Sequence, residues 1–386
     1  MKLQLIETAL TASKVLSIGA WYVKKGLERQ GHTVDVCDSP QKGYDAELIS
    51  VHHVTDFKTV VNMPKRSPYR VIGGHALYTN YKPLIPFADF LCFGEWDEGF
   101  INIEELHSHP SVNTSKFQHM YPLPVLQPYL NHSGTNSAAW YIEIARGCPY
   151  ACKYCQLGNT IPYRKRTFKE ICQAIDLCDF SLTRKVNLFA PDEASHSDYD
   201  DILLYIQKKG GFPSGFGSMR VEKARKLKGI RANTLIRCGI DGLTEQRRFS
   251  VNKRIADHDI LSYFKTMIHI GHVNFKMFMI FGYEGETLTD FDCWARVMNH
   301  VLNLPLKKNA ALRIKWTPFI PQPGTPLKND HPQYDLGMVK KIQKWHLFHR
   351  QPMRNPGWHV ENDGIMSQQN HKKQCELTTA SEDYFL

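Results

Sequence analysis

Several features are missing from this chain of 386 residues, and each absence narrows what it can be. There is no apolar run near the ~20 residues that a membrane-spanning helix needs. The opening "MKLQLIETALTASKVL" is too short in its apolar part for a signal peptide, so cytoplasm is the expected compartment and no membrane partner is expected. No repeat or low-complexity tract appears, which excludes solenoids and arrays. No pattern of interleaved aromatic and basic residues marks an RNA-binding module. The net charge of +10 is compatible with an anionic partner but does not name one. With ten cysteines and no export signal, thiols or metal ligands are expected rather than disulfides.

What is present is patterned. Residues 1–105 alternate helix and strand: a helical "SIGAWYVKKGLERQGH", then the strands "TVDVCD", "AELISV", "YRVIGG" and "ADFLCFGE". Short strands separated by helices predict a Rossmann-like parallel sheet that binds ligands at its C-terminal edge. Residues 106–138 are rich in Pro, Ser, Asn and His and read as a linker. From 139 to 330 the alternation resumes. Six strand–helix units in order predict a partial (β/α)6 barrel, with its site at the C-terminal ends of the strands. Residues 331–386 read as a polar C-terminal extension, irregular apart from a helical "DLGMVKKIQKWHLFHR".

The strongest local signal is "ARGCPYACKYCQLG", which follows the first strand of the second set. It holds Cys148, Cys152 and Cys155 within eight residues. A structural zinc site normally takes four ligands, usually as two pairs, and the chain has no second CxxC pair. A ferredoxin-type cluster takes a fourth nearby cysteine, and that is missing too. Three thiolates can hold three irons of a [4Fe-4S] cube and leave the fourth iron open. The other seven cysteines have no metal spacing, and the plain reading is that they pack as small apolar side chains.

The CxxxCxxC spacing behind the first strand of a β/α barrel resembles the radical S-adenosylmethionine (radical SAM) superfamily. The resemblance implies that the open iron binds S-adenosylmethionine and that one electron from the cluster cleaves it to a 5′-deoxyadenosyl radical. The electron would come from a donor such as flavodoxin or ferredoxin. The resemblance also places Tyr154 beside the adenine. Asp192 and Glu193, in "FAPDEAS" at the end of the second strand, would lie at the methionine amino group. "GSMRVEKARK" and "GIDGLTEQRRFSVNK" resemble the third and fourth strand ends, with ribose and carboxylate contacts expected near Ser218, Arg220, Asp241 and Arg248. "FMIFGYEGET" and "WTPFIPQPGTPL" resemble the fifth and sixth. The plain alternatives are surface ion pairs for Arg220 and Arg248, a helix N-cap for Asp192 or Glu193, and packing for Tyr154.

The stretch "YRVIGGHALYTNYKPLIPFADFLCFGEWDEGF" resembles the later part of the cobalamin-binding domains attached to one radical SAM group. It keeps Gly73-Gly74, Asp89 and Gly94-Glu95, while Trp96 replaces a small residue. Gly73, Gly74 and Gly94 are therefore expected to approach cobalamin. The D-x-H-x-x-G that supplies a cobalt-binding histidine is absent from the first hundred residues, so no histidine there is expected on the metal. The expected function is cobalamin-dependent methyl transfer to an unactivated carbon. The alternatives are a radical SAM catalyst without cobalamin and a non-enzymatic iron–sulfur or zinc module that binds nucleic acid. The substrate is not legible, and no catalytic side chain is assigned.

Overall fold

The computed structural model describes residues 1–8, 16–97, 123–124, 126–131, 138–215, 218–224, 235–350 and 357–385. Most of the segment expected as a linker, 106–138, lies outside these residues. The chain divides into two compact units. The first comprises residues 1–138, 322–324 and 373–386; the second comprises 139–321 and 325–372.

The first unit is built on five parallel strands: β1 (Lys2–Glu7), β2 (Thr33–Val36), β3 (Ala46–Ser50), β4 (Tyr69–Gly73) and β5 (Phe90–Cys92). Their spatial order is β2-β1-β3-β4-β5. The period-2 alternation of strand side chains supplies two cores. Leu3, Leu5, Leu48, Val71 and Phe90 pack with Ala20 and Leu27 of helix α1 (Ile18–Arg29). Ile6, Ile49, Ile72 and Leu91 pack on the other face with Phe57 and Val60 of α2 (Phe57–Val61) and Ala76 of α3 (Ala76–Thr79). Helix α1 starts where Ser17 Oγ accepts the Ala20 N–H at 3.2 Å. A short strand, β6 (Tyr129–Asn131), also belongs to this unit. In the order 2-1-3-4-5 the ligand crevice lies between β1 and β3, where connections leave in opposite directions.

The second unit opens with β7 (Ala139–Glu143) and the hairpin-like pair β8 (Ala145–Arg146) and β9 (Arg164–Lys165), with α4 (Gln156–Thr160) between them. Then come α5 (Phe168–Asp176), β10 (Lys185–Phe189), α6 (Tyr199–Lys208), β11 (Phe212–Gly215), β12 (Ser218–Met219) and α7 (Val221–Ala224). The series continues with β13 (Ile236–Gly239), α8 (Glu245–Ser250), α9 (Asp257–Ile270), β14 (Asn274–Phe281), α10 (Leu288–Leu302) and β15 (Ala310–Pro318). Strands β11, β10 and β7 pair in parallel, as do β12, β13, β14 and β15. Helix α5 is nucleated by a capping box in which Thr167 and Glu170 satisfy each other's backbone N–H groups.

In β14 and β15 every second residue is buried. That face packs on the helices: Phe275 lies 5.0 Å from Phe264 of α9, and Trp316 lies 4.8 Å from Trp294 of α10, centroid to centroid. The opposite face, with Lys276, Phe278 and Lys315, stays half-buried. This is the arrangement of a partial barrel whose interior remains accessible, and the α/β fold class read from the sequence holds.

The structure adds a parallel strand beyond the six strand–helix units. After α11 (Leu336–His349), β16 (Trp358–Ile365) pairs in parallel with β15. Only Trp358 and Val360 of β16 are buried, so its sequence "WHVENDGI" lacks a strong apolar signal. Residues 331–386, set apart above as an extension, are thus distributed between the two units. Helix α12 (Gln368–Thr379) begins among residues of the second unit, and from Lys373 it belongs to the first. There Leu377 joins the core containing Ile6 and Val54, and Asn80 Nδ2 donates to the carbonyls of Leu377 (2.9 Å) and Ala380 (2.8 Å).

Candidate metal centre

The cysteine loop leaves the end of β7 and is closed at its base. Strands β8 and β9 pair antiparallel, Ala145 with Lys165 and Arg146 with Arg164. The buried Glu143 carboxylate accepts from Arg146 Nε (2.6 Å) before the loop and from Arg166 Nη2 (2.8 Å) after it. Gly147, at φ +68°, lies so close to the returning strand that a Cβ there would sit 2.4 Å from the Pro162 carbonyl oxygen. Only glycine fits directly before Cys148.

Inside the loop the backbone is held by amide and carbonyl bonds. Asn159 Nδ2 donates to the carbonyls of Cys152 (2.8 Å) and Cys155 (2.7 Å), and Cys155 N–H donates to the Cys152 carbonyl at 2.9 Å. From the other side Asn252, at φ +58°, donates through Nδ2 to the Ala151 carbonyl at 2.9 Å. Its own carbonyl oxygen lies 3.7 Å from Cys152 Sγ. Cys152 is buried, while Cys148 and Cys155 are partly exposed. Burial pushes the Cys148 thiol up to about 11. Burial also raises Cys152, against the downward pull of Lys253 and Arg220. Among the described residues no three His, Cys, Asp or Glu side chains are gathered as a group that could hold one metal ion, these three included. A cube-shaped cluster does not need that convergence, because each thiolate binds a different iron. The donor set therefore fits a cluster better than a single zinc.

Around the loop the strand ends supply polar groups. Asp192, beyond β10, is buried; its Oδ2 accepts from the Ser195 hydroxyl at 2.7 Å. It occupies an N-cap position but makes no side-chain bond to the backbone there. Its Oδ1 is buried with no hydrogen-bond partner among the described residues, and the Tyr163 hydroxyl is left in the same state. Burial pushes the Asp192 carboxyl up, opposed by the Ser195 hydroxyl and the charge of Lys253. A buried acceptor without a donor is costly, and a cationic ligand group would remove that cost. Glu193 is different: its Oε2 accepts from Tyr199 at 2.8 Å within the packing of α6.

At the end of β13, Asp241 takes a positive φ of +53° and gathers two donors on Oδ2: Tyr154 Oη at 2.8 Å and Lys253 Nζ at 2.7 Å. Burial works against the Lys253 charge, but Asp241 and Cys152 outweigh it and the net shift is upward. The Tyr154 ring packs with Val251, Tyr283 and Phe319, so the packing role and the polar role coexist. Arg220, after β12, is buried, with Nη1 3.9 Å from Cys152 Sγ and its guanidinium 4.1 Å over the Tyr150 ring.

Two of the singled-out residues have a role in the fold itself. Arg248 is buried rather than at the surface, and it donates to the carbonyls of Ile255 (2.7 Å) and Gly242 (3.1 Å) and pairs with Asp257. It braces the turn after Asp241. Gly74 is required by the fold itself: at φ +118°, a Cβ there would sit 2.4 Å from the Val51 carbonyl oxygen. For Ser218 the backbone lies in β12 and its side chain is outside the described atoms. Sequence reasoning missed Lys253, Asn252 and Tyr150. The signal available for Asn252 and Lys253 was the "VNK" that closes the fourth strand-end motif, and for Tyr150 its place inside "CPYAC".

At the C-terminal edge of the first unit, Glu7 accepts from Ser17 N–H at 2.8 Å and pairs with His52. Asp56 Oδ2 accepts from Thr8 Oγ1 (3.1 Å) and from the N–H groups of His52 (3.2 Å) and His53 (3.0 Å). The start of α1, where a phosphate would otherwise sit, is filled by the Glu7 carboxylate. Gly73 is open by comparison, since a Cβ there would meet Cys92 Cβ at an ordinary 3.4 Å. Gly94 sits at φ +94°, just after β5.

Comparison with known proteins places the chain. A protein of Methanocaldococcus jannaschii described as uncharacterized is 23% identical over 356 residues, covering 84% of this chain and 76% of that one. The fold is similar to that of TsrM from Kitasatospora setae, a radical S-adenosylmethionine methyltransferase whose structure holds cobalamin and a [4Fe-4S] cluster. The TM-score is 0.64 at 12% identity, over 85% of this chain and 77% of that chain. Residues 142–296 match the Radical SAM superfamily, so the chain carries a radical SAM domain and its cysteine loop lies inside it.

Proposed function

We propose that this protein is a cobalamin-dependent radical SAM methyltransferase acting on an unactivated carbon. The observation that carries the radical part is the cysteine loop with the partnerless Asp192 Oδ1 beside it: three thiols on a closed loop and an acceptor awaiting a cation. When bound, a [4Fe-4S] cluster and S-adenosylmethionine supply one-electron cleavage of the sulfonium, and cobalamin supplies the methyl carrier. Cys148, Cys152 and Cys155 would hold the cluster. Asp192 would take the methionine ammonium, and Tyr154 and Asp241 would border the nucleoside. Asn159 and Asn252 fix the loop, and Arg248 fixes the turn that carries Asp241.

The cobalamin part is supported by the fold likeness to TsrM and by the 2-1-3-4-5 sheet with its crevice between β1 and β3. Among the described residues, Glu7, His52 and Asp56 at that edge are matched to one another, and the ligand would be held through backbone and apolar contact near Gly73 and Gly94. His52 is engaged by Glu7 and His53 by Thr55, and no histidine of residues 1–105 would coordinate the cobalt.

The test is anaerobic reconstitution with iron, sulfide and hydroxocobalamin, then desalting. About four irons per chain, cobalamin absorption and 5′-deoxyadenosine or a methylated product from labelled S-adenosylmethionine are expected. Cys152→Ala should lose the iron and all cleavage. Iron and cleavage without retained cobalamin would leave the radical reading and remove the methyl carrier. Zinc with no iron would overturn both.

A further inference from the structure

The position of Arg220 carries an inference that rests on the cluster reading above. A buried guanidinium needs partners, and Arg220 has three of different kinds. Nε pairs with Glu222, the plane lies over the Tyr150 ring, and Nη1 points to Cys152 Sγ at 3.9 Å. Arg220 is 6% exposed, as is Cys152, the one fully buried thiol of the three. The arginine is thus fixed from several sides against the sulfur most shielded from water. Glu222 keeps Oε2 buried and without a hydrogen-bond partner among the described residues, and Lys253 is the other cation whose charge reaches Cys152.

We propose that Arg220 is a positioning residue that acts through Cys152. Its charge favours the reduced state of the cluster bound there, and Glu222 sets how much of that charge the sulfur feels. Reduction adds one electron to iron bound through this sulfur, supplied by the one-electron donor. A hydrogen-bonding cation at the sulfur stabilises the more negative state, and a water-poor surrounding screens it weakly. Removing the cation should lower the reduction potential. Removing its carboxylate partner should raise it. A purely structural role for either residue predicts no such opposition of sign.

The experiment is an anaerobic redox titration of the reconstituted full chain without S-adenosylmethionine, followed by electron paramagnetic resonance of the reduced cluster. Arg220→Gln should lower the reduction equilibrium constant about tenfold, about 59 mV for a one-electron couple. Arg220→Lys should fall between it and the wild type, and Glu222→Gln should move the opposite way. If Arg220→Gln does not retain the cluster, Glu222→Gln decides alone: a rise supports the assignment and an unchanged potential overturns it. Both variants at the wild-type potential, or both shifted in one direction, overturn it while leaving the cluster reading intact. Wild-type protein that takes up no iron overturns the cluster reading itself.

Discussion

Glu7 and Asp192 both stand at the carboxyl end of a parallel strand, and their surroundings differ. Glu7 is surrounded by donors: the Ser17 amide on one oxygen and His52 on the other. Asp192 has the Ser195 hydroxyl on one oxygen and nothing on the other among the described residues. The same contrast extends to the neighbours. Asp56 collects Thr8, His52 and His53, whereas Tyr163 near Asp192 has a buried hydroxyl without a partner among the described residues. An edge whose charges are mutually satisfied binds by shape and backbone. An edge that leaves a buried acceptor free is arranged for a charged ligand. Two parallel sheets can thus offer different chemistry at their carboxyl edges.

The largest expected effect separates scaffold from ligand contact in the first unit. Gly74→Val combines a forced positive φ with backbone overlap and should cost roughly 3–5 kcal/mol in urea unfolding. Gly73→Ala meets only ordinary contact and should stay within about 1 kcal/mol of the wild type. Cobalamin retention by Gly73→Ala is therefore the informative measurement. Equal destabilisation by the two substitutions would contradict the difference in their surroundings.

The next effect belongs to the second edge. Asp192→Asn should weaken S-adenosylmethionine binding by about 2 kcal/mol, roughly thirtyfold, because one charged hydrogen bond is lost. Iron content should not change. Equilibrium binding to the reconstituted protein measures this, and unchanged affinity would show that Oδ1 is not the ammonium's partner.

The smallest effect is a pH dependence. Burial raises the Glu286 carboxyl to about 7, against the pull of the Gly282 N–H and of Arg247. Its folded value lies above its ordinary one, so its stabilising contribution is complete below the ordinary range and is lost as pH rises through about 7. Between pH 5 and 8 the wild type should lose at least about 1.4 kcal/mol relative to Glu286→Gln, one pKa unit's worth. Parallel pH profiles for the two proteins would refute it.

The cysteine loop was legible because its ligands lie within one turn of sequence, and so were the strands that carry it, because their apolar residues are periodic. What was not legible depends on contacts that exist only in the folded chain. The Ile255 and Gly242 carbonyls that take up the Arg248 guanidinium are near it in sequence, yet no residue type announces them. The demand of the fold for glycine at position 74 was hidden because its close approach to Val51 exists only once β3 and β4 are paired. Lys253 was passed over because its bond to Asp241 joins a strand end to the residues after α8. The strand β16 was missed because its outward residues are polar.

The placement of Leu377 has a consequence for synthesis. The hydrophobic core of the first unit contains both Ile6 and Leu377, and Asn80 holds the carbonyls of Leu377 and Ala380. A ribosome delivers Ile6 long before Leu377. The core around Ile6 must therefore wait, with part of its apolar surface uncovered, until translation reaches Leu377, and a chain terminated before that residue would keep the surface exposed.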